Sequence, residues 1–274
     1  MDLFNIERAI IKKYRKELYR PFTKAIYDYK LVEEGDKIAV CLSGGKDSFV
    51  LSKLFQEFKR HGEIKFDLEF IVMNPGFNQE NLDQLIINAK KLNIPIRIKE
   101  SHIFSITENH SDGKPCYLCA RMRRGFLYNF ASELGCNKIA LAHHFNDVIE
   151  TVLLNILYGG SFYTMMPKLK SKNYHGMELI RPLVHVHEDD IIRYMKYCEI
   201  EPMDCGCEVG CGKFATKRQE IKRLIANLKK SNDRVETNIY RSTENVYLDR
   251  LLGWKKGGEV NSFLDNYDET EDDE

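Results

Sequence analysis

Six consecutive residues, 43–48, combine two glycines, a lysine, an aspartate and two serines. Glycine lets a backbone turn tightly and approach a ligand, and the free N–H groups at the start of a helix favour an anion. The lysine adds a positive charge and the serines add hydroxyl donors. The spacing matches neither Gly-x-Gly-x-x-Gly nor Gly-x-x-x-x-Gly-Lys-Ser/Thr. An ordinary turn needs no such set, so these residues predict a phosphate-binding loop: Ser43, Gly44, Gly45, Lys46, Asp47 and Ser48.

Eight cysteines are a high number for a chain whose N-terminus does not read as a secretion signal, and five of them cluster. Cys116 and Cys119 form one pair, and Cys205, Cys207 and Cys211 form a later group. Clustered thiols without a secretion signal indicate metal binding or redox chemistry rather than disulfides. Four thiolates would close a zinc site, whereas three would leave one iron of a [4Fe–4S] cluster open, and spacing does not choose between them. The remaining thiols are expected to be small buried hydrophobes: Cys41, Cys136 and Cys198.

Short apolar runs that alternate with helical patterns indicate the elements that position these residues. By length and β-branched content, the predicted strands are residues 37–42, 66–73, 95–99 and 138–142. The predicted helices are residues 49–61, 81–92 and 119–134. Strands that alternate with helices predict an α/β fold, a doubly wound parallel sheet with helical additions at the N- and C-termini.

The composition is typical of a folded protein. The chain has 274 residues, of which 43% are hydrophobic and 30% are charged, which excludes a disordered or fibrous chain. No apolar run approaches the roughly 18 residues of a membrane-spanning helix. Residues 1–14 carry charges where a secretion signal would be apolar. We therefore expect a soluble, cytoplasmic protein that does not associate with membranes.

Charge is unevenly distributed, although the formal net charge is zero. Residues 265–274 hold seven acids and no base, which predicts a disordered tail and leaves the rest of the chain with +7. Near the N-terminus, a run with the single acid Glu17 suits either a phosphate backbone or a solvated helix face. Its bases are Lys12, Lys13, Arg15, Lys16, Arg20 and Lys24. The expected segments are an N-terminal helical segment (1–34), a catalytic domain with the cysteines (35–215), a C-terminal helical region (216–263) and the acidic tail (264–274).

The order of strand, Ser-Gly-Gly-Lys-Asp-Ser and helix resembles the PP-loop ATP pyrophosphatases. The resemblance implies their Rossmann-like fold and cleavage of ATP between its α- and β-phosphates, with the loop holding the departing pyrophosphate. It implies that Lys46 and Mg²⁺ stabilise charge on the phosphates and that Met73 and His143 also contact ATP. Amidating synthetases, tRNA thiolases and sulfonucleotide reductases share this loop, so other motifs must identify the acceptor.

Five further segments resemble the TtcA-type tRNA 2-thiocytidine synthetases, in the order of that family. They are the Cys-x-x-Cys helix at 116–128, Leu-Ala-His-His-Phe-Asn-Asp at 141–147, Tyr-Gly-Gly at 158–160, Met-Pro-Lys-Leu at 166–169 and Ile-Arg-Pro-Leu at 180–183. With the phosphate loop and Asn-Pro-Gly-Phe at 74–77, they extend over most of residues 37–218. The resemblance implies ATP-dependent, iron–sulfur-dependent thiolation of tRNA, with 2-thiocytidine in the anticodon loop as the product.

The same resemblance implies a ligand set for the cluster. In that family two early cysteines and one later cysteine hold a [4Fe–4S] cluster. The early pair falls on Cys116 and Cys119, and the distance from Cys119 favours Cys207 as the third. Cys211 and Cys205 are the alternatives to Cys207.

The family's His-His-x-x-Asp motif falls on His143, His144 and Asp147. Many members carry a second acid where this chain has Asn146, so this position lacks the paired carboxylates that a magnesium site would use. The resemblance implies that Asp147 transfers a proton or orients the substrate. It implies that Arg123 steadies a phosphate or the incoming sulfur.

The implied partners are tRNA, ATP and a sulfur donor, either sulfide or a persulfide derived from a cysteine desulfurase. Relatives that form dimers favour a homodimer. Two other enzyme classes share part of these motifs, the tRNA 2-thiouridine synthetases and the sulfonucleotide reductases, and a reductase would not consume ATP. A non-enzymatic alternative is a module that binds nucleotide or tRNA and is stabilised by zinc.

Overall fold

The computed structural model describes residues 1–101, 115–203 and 213–269, with the backbone alone for 115–120, 213–216, 266, 268 and 269. Its strands are β1 (Lys37–Leu42), β2 (Asp67–Asn74), β3 (Ile96–Glu100), β4 (Lys138–Ala140), β5 (Lys168–Lys170) and β6 (Glu178–Ile180). They form one six-stranded sheet in the order β3-β2-β1-β4-β6-β5. All pairs are parallel except β5 with β6, an antiparallel edge. The predicted α/β fold with a mostly parallel sheet is confirmed, and the antiparallel edge was not foreseen.

The helices are α1 (Leu3–Ile11), α2 (Arg20–Asp28), α3 (Lys46–His61), α4 (Gln79–Lys91), α5 (Pro115–Glu133), α6 (Phe145–Gly159), α7 (Glu188–Tyr197), α8 (Lys213–Lys229) and α9 (Val235–Ser242), with a π-helix at Arg15–Tyr19. The predicted helices are present, and each starts earlier than expected. For α3 the reason is its N-cap Gly45, because the end of the phosphate loop is already the first helical turn. Within the described ranges, no helix has both the length and the apolar character to span a membrane.

Both faces of β1 are buried, which explains its continuous apolar sequence. Ala39 and Cys41 belong to a core cluster with Tyr128 and Phe130 of α5. Ile38 and Val40, which strand alternation places on the opposite face, are also fully buried. Burial on two faces is the arrangement expected for a parallel strand between helical layers.

The strand order creates a crevice beside β1. After β1 the chain adds β2 and β3 on one side, and it then returns to add β4 on the other side. In open α/β sheets, ligands bind outside the carboxyl ends of the strands at such a reversal. The fold therefore directs a ligand to the ends of β1 and β4.

The chain separates into two compact units, Met1–Leu224 and Ile225–Glu274. The second unit contains α9 and a two-stranded antiparallel hairpin, β7 (Gly253–Lys256) with β8 (Glu259–Ser262). The sequence predicted only helices in residues 216–263. The hairpin forms because Gly257 and Gly258 both adopt the positive φ that a tight turn requires. Residues 270–274 of the predicted acidic tail lie outside the described residues, and the division into four segments stays a prediction.

Candidate active site

The predicted phosphate loop lies at the carboxyl end of β1, inside the crevice. Gly44 has a φ of +84°, a conformation that favours glycine. A Cβ added there would lie 3.0 Å from Cε of Met203, whose N–H donates to the Gly44 carbonyl at 3.0 Å. Gly44 is therefore required both by its dihedral angle and by the close approach of Met203.

Two serine hydroxyls hold the loop closed. The Ser48 hydroxyl donates to the Gly45 carbonyl at 2.8 Å and accepts the Ser43 N–H at 3.3 Å. The Gly45 N–H donates to the Ser43 hydroxyl at 3.4 Å. The first N–H groups of α3 have no acceptor within their own helix, as at every helix start. They supply donors and a positive helix terminus for an anion.

A pocket of about 640 Å³ opens above this loop. It lies at the ends of β1, β2 and β4, where the strand order places a ligand site. The predicted residues that line it are Ser43, Gly45, Lys46, Asp47, Ser48, Met73, Arg123, His143 and Asp147. Apolar side chains also line it, among them Phe77, Leu127 and Met203, which suits the flat face of a base. The structure thus brings together residues from five separate segments of the sequence.

Lys46 is held in place by carboxylates. Its Nζ lies 2.9 Å from Oε1 of Glu188 and 3.3 Å from Oδ2 of Asp47. Burial lowers the pKa of Lys46, but Asp47 and Glu188 outweigh burial and the pKa is raised. Burial likewise opposes ionisation of Glu188, yet hydrogen bonds from Lys46 and Lys222 lower its pKa to about 2. Both groups are therefore charged at neutral pH.

Asp47 carries a carboxylate oxygen that the described residues do not satisfy. Its Oδ1 is buried and accepts no hydrogen bond from them. Nε2 of His144 lies 3.9 Å from it. Burial raises the pKa of Asp47, and the charges of Lys46 and His144 oppose that rise. An orphaned carboxylate oxygen on the pocket wall suits a cation that enters with a ligand.

Asp147 lies in the first turn of α6 and is part of a capping box. Its Oδ2 accepts the backbone N–H of His144 at 3.0 Å, and its own N–H donates to Nδ1 of His144 at 3.4 Å. The N-cap of this box is His144, and Asp147 is its third helical residue. The second carboxylate oxygen, Oδ1, lies 3.1 Å from Nη2 of Arg218. The backbone N–H of His144 and the guanidinium of Arg218 each hold one oxygen, so the carboxylate is fixed in orientation.

Arg218 belongs to a chain of alternating charges that links two pocket residues, Asp147 and Lys46. Its Nε donates to Oε2 of Glu150 at 2.7 Å, and Glu150 also lies 3.6 Å from Nζ of Lys222. Lys222 in turn lies 3.0 Å from Glu188, the partner of Lys46. Helix α8 thus supplies two cations that connect Asp147 to the phosphate loop.

His143 contacts a buried arginine. Nε of Arg181 donates to Nδ1 of His143 at 3.3 Å, and Nη1 donates to the Met166 carbonyl at 2.5 Å. Burial and, after it, the charge of Arg181 lower the pKa of His143 to about 4. His143 is therefore neutral at physiological pH and faces the pocket as an uncharged polar group.

Asn146 has a structural role in joining two helices. Its Oδ1 accepts the backbone N–H of Glu188 at 2.9 Å. This bond joins the first turn of α6 to the first residue of α7. It fixes the helix start that carries the partner of Lys46.

The predicted cluster ligands lie outside the residues whose side chains are described. The backbone places positions 116 and 119 at the start of α5, and Cys205, Cys207 and Cys211 fall in 204–212. Arg123 and Met203 are each four positions from one of these cysteines, and both line the pocket. The other three cysteines are buried free thiols, as predicted: Cys41, Cys136 and Cys198.

Sequence reasoning missed several residues around the pocket. They are Glu150, Arg181, Glu188, Arg218 and Lys222. Arg181 lay inside a motif noted only as part of the resemblance. One sequence signal pointed to the ion pairs around Asp147. Glu150 is an acid among the apolar residues of α6, and a buried acid requires a cationic partner.

Comparisons with known proteins agree with this geometry. Residues 11–203 match the family described as a PP-loop domain. A tRNA-cytidine(32) 2-sulfurtransferase of Coxiella burnetii (strain RSA 331 / Henzerling II) is 38% identical over 247 residues, which cover 88% of this chain and 94% of the relative. One from Geobacter metallireducens is 35% identical over 243 residues, covering 88% and 93%. This chain is similar in fold to the solved U34-tRNA thiolase NcsA from Methanococcus maripaludis with its [4Fe–4S] cluster, with a TM-score of 0.67 and 24% sequence identity. The superposition covers 84% of this chain and 78% of the thiolase.

Proposed function

The chain belongs to the PP-loop family and, within it, to the tRNA-cytidine(32) 2-sulfurtransferases, and from this membership we propose that it catalyses ATP-dependent thiolation of a cytidine in tRNA. The observation that carries the proposal is the pocket at the switch point of the sheet. There the loop at 43–48 supplies phosphate donors, and the ends of three strands, α5, the first turn of α6 and Met203 contribute to the rest of the wall. A binding module would need the loop but not the fixed carboxylate of Asp147 beside it.

The first step activates a poor leaving group. The C2 carbonyl oxygen of cytidine attacks the α-phosphorus of ATP, the bond between the α- and β-phosphates breaks, and pyrophosphate leaves. Lys46 and the N–H groups of the loop stabilise the charge that develops on the β- and γ-phosphates. Glu188 and Asp47 hold the Lys46 ammonium in the pocket before ATP arrives.

We assign Asp147 to orienting the substrate. One of its oxygens accepts the His144 N–H and the other is paired with the Arg218 guanidinium, so its carboxylate is a fixed acceptor rather than a free base. Arg123 lines the same pocket from α5 and supplies a cation for a phosphate or for the incoming sulfur. Neutral His143 and the thioether of Met73 complete the wall near the nucleotide.

Two further groups belong to the proposal. Asp47 Oδ1, buried and without a donor among the described residues, fits the Mg²⁺ that accompanies ATP. Cys116, Cys119 and Cys207 would hold a [4Fe–4S] cluster, and their neighbours in sequence, Arg123 and Met203, line the pocket. When bound, such a cluster supplies an iron without a protein ligand, from which sulfur can be delivered.

The proposed enzyme also requires a source of sulfur. The sulfur donor is sulfide or a persulfide derived from a cysteine desulfurase. A cytoplasmic location follows from the tRNA substrate, and a homodimer stays a prediction.

Pyrophosphate release tests the first step. Incubation with ATP and a tRNA transcript should release pyrophosphate only when both are present. Release without tRNA would identify a different acceptor. If no pyrophosphate is released and the protein instead reduces an adenylated sulfur compound, it is a sulfonucleotide reductase.

Metal analysis tests the cysteine site independently of activity. Protein purified without oxygen should contain about four irons and as many acid-labile sulfides, with a brown chromophore. The Cys116→Ala variant should lose that chromophore, whereas Cys198→Ala, a buried free thiol, should keep it. One zinc and no iron, even after reconstitution with iron and sulfide, would overturn the cluster assignment.

A further inference from the structure

An exposed aromatic loop follows α6. We define the aromatic loop as residues 158–166, which include the last two residues of α6, Tyr158 and Gly159. Tyr163 is 60% exposed, Met166 53% and Phe162 46%, in a stretch of only five residues. Large apolar side chains that are exposed together, rather than singly, indicate an interaction surface.

The loop runs back towards the pocket. Gly160, with a φ of +58°, ends α6 and reverses the chain direction. The Tyr163 carbonyl then accepts a hydrogen bond from Nδ2 of Asn155 at 2.9 Å, and the Thr164 hydroxyl donates to the Val148 carbonyl at 2.9 Å. Val148 lies two turns before Asn155, so the loop passes along α6 towards its first turn.

One arginine connects the loop to the pocket wall. Arg181 donates to the Met166 carbonyl through Nη1 at 2.5 Å and to His143 through Nε at 3.3 Å. His143 lines the pocket. Arg181 therefore joins the Met166 end of the aromatic loop to a residue of the pocket wall.

Cations accompany the aromatic rings. Nζ of the exposed Lys217 lies 4.8 Å from the ring centroid of Tyr158. Arg124 is exposed. It lies near Arg181, whose pKa is lowered to about 10 by burial and, as the second cause, by the positive charge of Arg124. Aromatic rings and cations on one surface are the composition that binds single-stranded nucleic acid, and the Lys217–Tyr158 pair supplies both at the start of this loop.

We propose that Phe162 and Tyr163 stack on the unpaired nucleotides that flank the target base in the loop of the tRNA substrate. This inference rests on the proposed function. A base that enters the pocket must leave the stack of its loop, and its neighbours then lose a stacking partner. Aromatic rings on a loop that is tied to the pocket wall through Arg181 replace that partner without selecting a sequence.

The test compares two RNAs. We would measure the affinity of the Phe162→Ala/Tyr163→Ala variant for a tRNA transcript and for an RNA duplex of similar length without unpaired nucleotides. Affinity for the tRNA should fall roughly ten-fold or more, because a stacking contact is lost, while affinity for the duplex and for ATP stays unchanged. The Phe162→Tyr/Tyr163→Phe variant keeps both rings and should bind like the wild type. Tyr247→Ala, which removes a 71% exposed aromatic elsewhere, is the matched control.

Three results would overturn the inference. The first is an equal loss of affinity for both RNAs, and the second is unchanged affinity for the tRNA. The third is a change in the sedimentation of the double variant without RNA that accounts for its whole loss of tRNA affinity. That result would make this surface a contact between two copies of the chain. Wild-type pyrophosphate release separates the two proposals. If the wild type releases pyrophosphate with tRNA and the double variant binds tRNA normally, only the stacking surface fails. If the wild type releases none, the proposed function fails.

Discussion

Single side chains at this site hold elements of the fold together and also line the proposed active site. Asp147 caps α6 through His144 and meets Arg218 from α8, so its orientation is set by two elements. Lys46 is similarly fixed by Glu188, which is 142 positions away in the sequence. Local residues such as the phosphate loop were predictable, because neighbours in sequence form the whole motif. Glu188 and Arg218 were not, because only the folded chain brings them to the pocket.

Lys46→Ala should reduce tRNA-dependent pyrophosphate release by a factor of about 100 or more, because a preorganised donor to the leaving group is lost. Lys222→Ala is the matched control, since Lys222 shares the partner Glu188 but does not line the pocket. We expect the control to lose less than about ten-fold. A quantitative pyrophosphate assay measures both variants, and equal losses would contradict the assignment to Lys46.

Two substitutions at Asp147 separate its roles. Asp147→Asn keeps an oxygen for the His144 N–H and should retain the free energy of unfolding to within about 1 kcal/mol, whereas Asp147→Ala loses the cap and about 1 kcal/mol more. Both should lower kcat strongly, since both remove the carboxylate charge. Denaturant unfolding and pyrophosphate release are the measurements. Full activity in the Asn variant would limit Asp147 to capping.

His143 predicts a pH dependence of stability. Its pKa is lowered from 6.5 to about 4, mainly by burial, so between these values the unfolded chain binds a proton that the folded chain does not. Stability should therefore fall as the pH drops from 7 to 5, with up to about 2 kcal/mol due to His143. Thermal unfolding of the wild type and His143→Gln checks this. Equal pH dependence in the two proteins would show that His143 is solvated.

At the scale of elements, the loop between β1 and α3 depends on one left-handed residue. Gly44→Ala should weaken ATP binding at least ten-fold, because its Cβ meets Met203 and its φ is strained. Gly35→Ala is the matched control, with a φ of +81° and no atom within 4 Å of its added Cβ. It should lose stability but keep its ATP affinity in calorimetric titration. If both variants bind ATP equally well, the loop is not the nucleotide site.

The elements themselves were predicted better than their ends. Periodicity located β1 to β4 and the helices between them, because each buries an apolar face. It missed β5 and β6, whose three residues each are too short for a pattern. It extended β4 to residue 142, although the sheet ends at Ala140 and the following residues turn to line the pocket. The alternating strand pattern thus ends at the first residues that line the pocket.

The whole molecule must also hold a large polyanion, and the basic N-terminal segment is exposed. Lys12, Lys13, Arg15 and Lys16 all face solvent. Exchange of all four for Glu should weaken tRNA binding and flatten its salt dependence, because phosphate contacts release counterions. ATP affinity should stay unchanged.

A smaller pair of variants controls for net charge. Lys12→Glu/Lys16→Glu should weaken tRNA binding more than Lys255→Glu/Lys256→Glu, which changes two exposed lysines in the second unit. Filter binding at several salt concentrations measures both. Equal losses would show that total charge matters and that the N-terminal segment is no specific track.

Nucleoside analysis tests the central claim most directly. Iron-loaded protein would be incubated without oxygen with ATP, sulfide and a tRNA transcript, and the digested tRNA examined by mass spectrometry. We predict 2-thiocytidine, formed only with ATP and absent with Lys46→Ala. Tyr247→Ala, an exposed residue outside the site, should give wild-type amounts. Protein that carries its cluster and binds both ATP and tRNA, yet forms no thionucleoside, would contradict the account.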